Sequence, residues 1–414
     1  MNNQVFDVIV VGAALAGTTA ATLFARAGLR VALVERNPDS YAYKQLCTHF
    51  IQGSATPTLA RLGVLEQLEA RGGLRNSANI WTRWGWIFEP EMHDANGASQ
   101  HGFNLRRQVL DPLLCQTAAA TPGVELCLGH SVKDLIVENG RVTGIVTHAA
   151  AGDRTLRSRL VVAADGRNSR LAELAKIRIK SSPNRRSLIM AQYREVPLVH
   201  GATSQMWIDG AKVGYIFPND DGVTVVAAMP PQADFANFKA DPAGHFERYM
   251  QAFPDSPDLQ KAVRISEFIQ VKDYPNQTRA PVALGMALIG DAALSMDPLF
   301  GVGCGWALQS AEWLVDVTAP ALKAGTGVEA ALRDYAKVHQ QKLGGHAFIV
   351  ADFSKRYAFN LIERLMFKAA TRDVAAARHL FLFAKRISSL AEFLNPRIIA
   401  RALWLTLQPA KPNT

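Results

Sequence analysis

The stretch VIVVGAALAG, Val8–Gly17, decides the fold. An apolar run closes on a glycine turn, and small residues follow. The spacing is that of the dinucleotide fingerprint G-x-G-x-x-G, with Gly12 and Gly17 in place and Ala14 in the middle position. A glycine there ordinarily lets the backbone approach a pyrophosphate closely. One added methyl hinders that approach slightly without abolishing it. Phe6–Val11 is apolar on both faces, as a buried parallel strand must be. Thr18–Ala27 has helical spacing and stops at Gly28, a residue suited to a helix C-terminus, and Leu29–Arg36 returns as a second strand. Together these make a βαβ unit. Glu35 ends it, 18 residues beyond Gly17, near the spacing at which an acid takes a ribose hydroxyl. The helix N-terminus, with free N–H groups and a favourable dipole, is the place for a phosphate. The alternative is a unit of the same shape that binds nothing.

The 414 residues, 49% hydrophobic and 20% charged, describe a folded, enzyme-sized chain of two or three domains. The N-terminus lacks the basic and apolar regions of a signal peptide. No apolar run approaches the roughly 20 residues of a spanning helix. Cys47, Cys115, Cys127 and Cys304 are scattered without ligand spacing, so neither a disulfide framework nor a metal site is expected, and a reducing cytoplasm is the natural compartment. The net charge is +9. Residues 351–414 hold 11 Lys and Arg against four acidic residues, so +7 of the excess sits in this segment. No nucleic-acid signature accompanies it, and nucleic acid is not an expected partner.

Two later stretches repeat the strand-to-turn theme. In RLVVAADGRNSRLAEL a strand, Leu160–Ala164, runs into Asp165-Gly166 and a helix start near Ser169. In GMALIGDAALSMDPLFGVGCGWALQSAEWLVD a strand, Met286–Ile289, ends at Gly290-Asp291, and Gly301, Gly303 and Gly305 lead into a helix. Taken in order, the GAxxAG turn, Asp165-Gly166 with Ser169 and Arg170, and Gly290-Asp291 with Pro298 resemble the FAD-dependent monooxygenases of the para-hydroxybenzoate-hydroxylase-like group, which includes geranylgeranyl reductases. The segments GAALAG, CTHFI, RRQVLD, GYIFPNDDG and GDAALSMDPLFGVG are similar to a branch of that group in which alanine at the middle fingerprint position is normal.

The resemblance implies an α/β fold: a Rossmann-like FAD-binding domain with a parallel sheet, an antiparallel-sheet substrate domain and a C-terminal helical segment. The FAD-binding parts are 1–75, 101–175 and 279–344, the substrate parts 76–100 and 176–278, and the basic helical segment 345–414. It implies FAD as cofactor and NADH or NADPH as transient reductant, with no separate nucleotide domain. It places Gly12, Ala14, Leu15, Ala16 and Gly17 at the pyrophosphate and Glu35 and Arg36 at the adenosine, with Val132 a further contact. Thr48 lies near the ring, and Arg107 on the phosphate or ribityl chain, where its fork matches paired oxygens; the alternative for Arg107 is an ion pair. Asp165 and Gly166 touch cofactor, or else only cap a helix. Asp291 takes the ribityl hydroxyls. Pro298, Gly301, Gly303 and Cys304 bring N–H groups and a positive helix end to the reduced ring. Cys304 is read as a small backbone contributor, since no partner base is evident in sequence.

The implied activity is hydroxylation or epoxidation, with O2, of an aromatic or hydrophobic small molecule in specialised metabolism. The alternatives are double-bond reduction and a flavin-bound membrane-surface module without turnover. Trp86, Tyr215 and Phe217 are candidate pocket residues, although aromatic stripes also serve as plain core. His49 is a candidate base, with packing or flavin bonding as the alternative. WGWIFEP is similar to the tryptophan motif of flavin-dependent halogenases, but it precedes Asp165-Gly166, whereas halogenases carry theirs after it. Lys44 is the nearby candidate for their lysine. The basic C-terminal helices read as a cap over the core, or as a face for peripheral contact with the inner membrane surface or a lid over a greasy substrate.

Overall fold

The computed structural model describes residues 4–93 and 101–408. Residues 94–100, within the expected 76–100 substrate segment, and the chain ends at 1–3 and 409–414 lie outside the described residues.

The first strand, Gln4–Val11, has parallel neighbours on both sides. Val8 faces Val31 of strand Val31–Glu35 and Leu160 of strand Gly152–Ala163. Strand Val124–Leu128 extends the sheet beyond Val31–Glu35, and Met286–Leu288 extends it beyond Gly152–Ala163, both parallel. The chain thus returns to one sheet from three distant stretches. Alternation along the first strand explains why it is apolar on both sides. Val8 and Val10 pack into one buried cluster with the helices Leu15–Arg26 and Gly303–Ala324, while Ile9 and Val11 pack into another on the opposite face. Each fully buried side chain of this size contributes about 1.5–3 kcal/mol.

A second large sheet stands apart from the first. It joins 263–264, 188–194, 224–229, 212–218, 204–209, 78–82 and 85–87 in that order, antiparallel except where 204–209 meets 78–82. Its period-two alternation separates two faces. Leu188, Met190, Tyr215 and Phe217 point inward to a cluster shared with the C-terminal helices, whereas Ile189, Ala191, Tyr193 and Trp207 point outward under Phe238 and Phe246.

The C-terminal segment is helical: Val328–Ser354, Leu361–Ala370, Val374–Ala384, Leu390–Phe393 and Pro396–Leu407. Pro396 separates the last two helices and opens the second of them. Asn395 caps it by accepting from the Arg397 N–H at 2.9 Å. Proline is at home there because a first-turn N–H has no intrahelical partner to lose.

Candidate cofactor cleft

The glycine turn is forced by contact. Gly12 has φ +103°, and a Cβ there would stand 2.4 Å from the Ala164 carbonyl oxygen. A Cβ on Gly17 would lie 1.7 Å from the Gly12 oxygen. Ala14 sits between them as the exposed N-cap of helix Leu15–Arg26 and makes no side-chain cap. The first-turn N–H groups of that helix therefore face the cleft uncapped. Alanine fits because its methyl points to open space. Glu35 ties the two ends of the βαβ unit together: its Oε2 accepts from the Ala13 N–H and its Oε1 from the Asn37 N–H, each at 2.9 Å.

Two cavities, of about 510 and about 330 Å³, share Ala14, Lys44, Ala164 and Gly166 and so form one continuous cleft. The larger half is lined by Gly12, Glu35, Arg36, Val132, Asp165 and Gly166. The smaller half is lined by Leu15, Ala16, Thr48, Arg107, Asp291, Pro298, Gly301, Gly303 and Cys304. These sequence-read residues come together from three distant stretches of chain. Gly17 acts one layer behind, beneath Gly12.

The donor set suits a dinucleotide. Asp165 Oδ2 accepts from the Leu171 N–H, while its buried Oδ1 has no partner. Burial pushes its carboxyl up. At the other end Trp306 lines the smaller half, and its buried indole N–H is likewise unpartnered. Arg107 is buried and spends its Nε and Nη2 on Asp111 at 2.5 and 2.8 Å. A ligand oxygen would approach from the Nη1 side. Asp111 also accepts from the Lys44 N–H. Asp291 accepts from Lys44 Nζ at 2.7 Å, and the Asp291 charge pushes the ammonium upward, against burial.

The loop carrying Pro298 is anchored from behind. Arg186 and Asp297 pair at 2.6 Å with both side chains fully buried. Asp297 also accepts from the Leu299 N–H, and its own N–H donates to Asn276. This buried pair fixes the loop that ends at the N-terminus of helix Gly303–Ala324. It is invisible in sequence, because its members lie 111 residues apart.

Four expectations meet a different geometry. His49 has φ 61°, and its Nδ1 accepts from the Arg107 N–H at 3.0 Å, so the neutral ring carries its proton on Nε2. That gives a donor, not the base read from the sequence. Trp86 lies on the outer face of the second sheet, edge-on to Trp207, and donates to Asp255 at 2.7 Å. Tyr215 and Phe217 stack at 5.4 Å within the inner cluster, one layer behind the cleft. The apolar wall of the smaller half is Phe50, Leu188, Met190, Leu294 and Met296. The alternation of 188 and 190 carried that signal, but nothing in the sequence said which sheet face meets the cleft.

Residues 5–342 match the family described as FAD binding domain. The chain belongs to this family. Digeranylgeranylglycerophospholipid reductase 2 of Methanopyrus kandleri is 27% identical over 348 residues, covering 82% of this chain and 83% of the relative. The flavin-dependent brominase Bmp2 matches with a TM-score of 0.80 at 18% identity, over 97% of this chain and 98% of that one. The p-nitrophenol 4-monooxygenase PnpA of Pseudomonas putida matches with a TM-score of 0.77 at 19% identity, over 93% and 99%. At such identities the structural likeness shows the fold. The cofactor of this FAD-binding chain is thus established at family level, and the chain is an FAD-dependent oxidoreductase by kinship. Among the described residues no helix is long and apolar enough to cross a membrane.

Proposed function

We propose that this chain is an FAD-dependent monooxygenase that takes electrons from NADH or NADPH and uses O2 to hydroxylate or epoxidise an aromatic or hydrophobic small molecule. The observation that carries this reading is the single cleft running from Glu35 to the apolar wall of Phe50, Leu188 and Met190 beside the Pro298 loop. FAD, when bound, supplies hydride acceptance and oxygen activation. The chain's own residues bind and orient. Leu15 and Ala16 offer N–H groups to the diphosphate, Glu35 takes the ribose, and Asp291, held by Lys44, takes the ribityl hydroxyls. The turn Pro298–Cys304 sets a positive helix end beside the ring. The apolar wall keeps water from the reacting face and receives a greasy substrate.

The 27% identity to a lipid reductase favours a second reading, saturation of isoprenoid double bonds. Halogenation is less supported, since Lys44, the sole lysine lining the smaller half among the described residues, is paired with Asp291. The test is anaerobic reduction of the bound flavin by NADPH across a substrate panel, followed by oxygen and product mass. A gain of one oxygen supports the proposal. A gain of two hydrogens replaces it with the reductase, and failure of every donor and substrate removes both.

The C-terminal helices present a face for an anionic bilayer. Leu361, Trp404 and Leu407 are 81%, 59% and 78% exposed. Arg364 and Lys368 line the same groove as Leu361 and Leu403. Apolar side chains ringed by cations fit the headgroup boundary of an acidic membrane.

A further inference from the structure

The sequence scatters the cysteines, but the fold brings two of them together on the cleft wall. Cys47 precedes strand Phe50–Ile51, and Cys304 lies in the first turn of helix Gly303–Ala324. Both line the smaller cavity, and their Sγ atoms are 3.6 Å apart across 257 residues of sequence. Both are free thiols. We propose that Cys47 and Cys304 form a second two-electron carrier beside the cofactor, a dithiol that closes to a disulfide by giving its electrons to FAD and reopens by taking them back. The inference rests on the ring occupying the smaller half of the cleft, as read above.

The local chemistry assigns the roles. Cys47 Sγ accepts from the His49 N–H at 3.2 Å. The Cys304 S–H donating to Cys47 holds the Cys47 thiol well below its usual range against the cost of burial, and the Arg107 charge acts in the same sense. The same contact, with burial, pushes the Cys304 thiol up. A thiolate next to a protonated thiol is the pair that dithiol oxidation requires. As the Sγ–Sγ bond forms, the separation closes to about 2 Å. The thiolate and thiol together lose two electrons and one proton, and FAD gains both as the anionic reduced flavin. Nothing else is consumed, and the reverse step restores the dithiol. The other two thiols serve as internal controls: burial pushes both Cys115 and Cys127 up, and neither lines the smaller cavity.

Anaerobic dithionite titration of the air-oxidised, FAD-loaded protein tests this. The wild type is expected to take about four electrons per FAD, two for each couple. Cys47→Ser and Cys304→Ser are each expected to take about two. Independently of any variant, alkylation of the oxidised wild type after denaturation should label Cys115 and Cys127 alone, and a linked Cys47–Cys304 peptide should appear in the mass map. Uptake of about two electrons by the wild type, or labelling of Cys47 and Cys304 without prior reduction, overturns the inference and leaves the flavin reading intact. A protein that takes up no FAD removes both.

Discussion

At the scale of single residues, the fingerprint's tolerance of alanine has a simple cause. Ala14 projects from an uncapped helix start into the open cleft, whereas Gly12 and Gly17 are pressed against backbone oxygens at distances no Cβ survives. Gly17→Ala is therefore expected to destabilise the fold by about 3 kcal/mol or more. It should yield protein without the flavin absorption near 450 nm. Ala14→Gly should change helix stability by less than about 1 kcal/mol and leave FAD uptake within a few-fold, as read by fluorescence titration. The buried Arg186–Asp297 pair makes the opposite case. Asp297→Ala strands a guanidinium inside the core, at a cost of about 3–5 kcal/mol, which denaturant unfolding would register. Restoring neutrality with Arg186→Met in the same chain should recover a large part of that loss. No pattern around DPLFG announces Arg186, because a partner that distant leaves no local spacing to read.

Among the elements, the long helix Val328–Ser354 meets the C-terminal helices through a histidine. His346 stacks on Phe383 of helix Val374–Ala384 at 4.5 Å. Burial pushes the imidazole down to about 4, and the Arg386 charge works the same way. Burial pushes His339, on the same helix, down to about 4 as well. An unfolded histidine titrates near 6.5, so between about 6.5 and about 4 the unfolded chain binds more protons than the folded one, and stability falls as pH drops through that window. Each histidine should remove about 2 kcal/mol by pH 5. Urea unfolding at pH 7 and pH 5 would measure the sum, and His346→Gln should roughly halve the difference. The histidines stand in the sequence for anyone to see, but their burial does not. The βαβ elements were legible from apolar runs and turn glycines, although their ends moved by a few residues: the first helix begins at Leu15, not Thr18, because the turn itself supplies the first helical residues.

For the whole molecule, the decisive event is convergence. Three stretches around residues 12, 165 and 291 meet along one sheet, and Leu188 and Met190 of a second sheet wall the smaller half of the cleft. The C-terminal helices expose Leu361, Trp404 and Leu407, and Arg364 and Lys368 share a groove with Leu361. The full-length chain is expected to sediment with vesicles containing an anionic phospholipid at low salt and to be released at high salt, since exposed charges are screened within about 10 Å at 0.1 M. Phosphatidylcholine vesicles should not retain it, and Trp404→Glu with Leu407→Glu should abolish retention. Binding to neutral vesicles alone would sink the electrostatic part. Periodicity and glycine placement were enough by themselves to determine the α/β βαβ unit, because such signals are local and each demands one backbone geometry, while the family and FAD came from the resemblance that the order of three motifs carries. Only the tertiary structure decided that Lys44 meets Asp291, that Arg186 backs the Pro298 loop, that His49 presents a donor, and that Cys47 touches Cys304. Those are contacts between residues 58 to 257 positions apart. A linear chain leaves them open, and packing the sheets against the helices settles them.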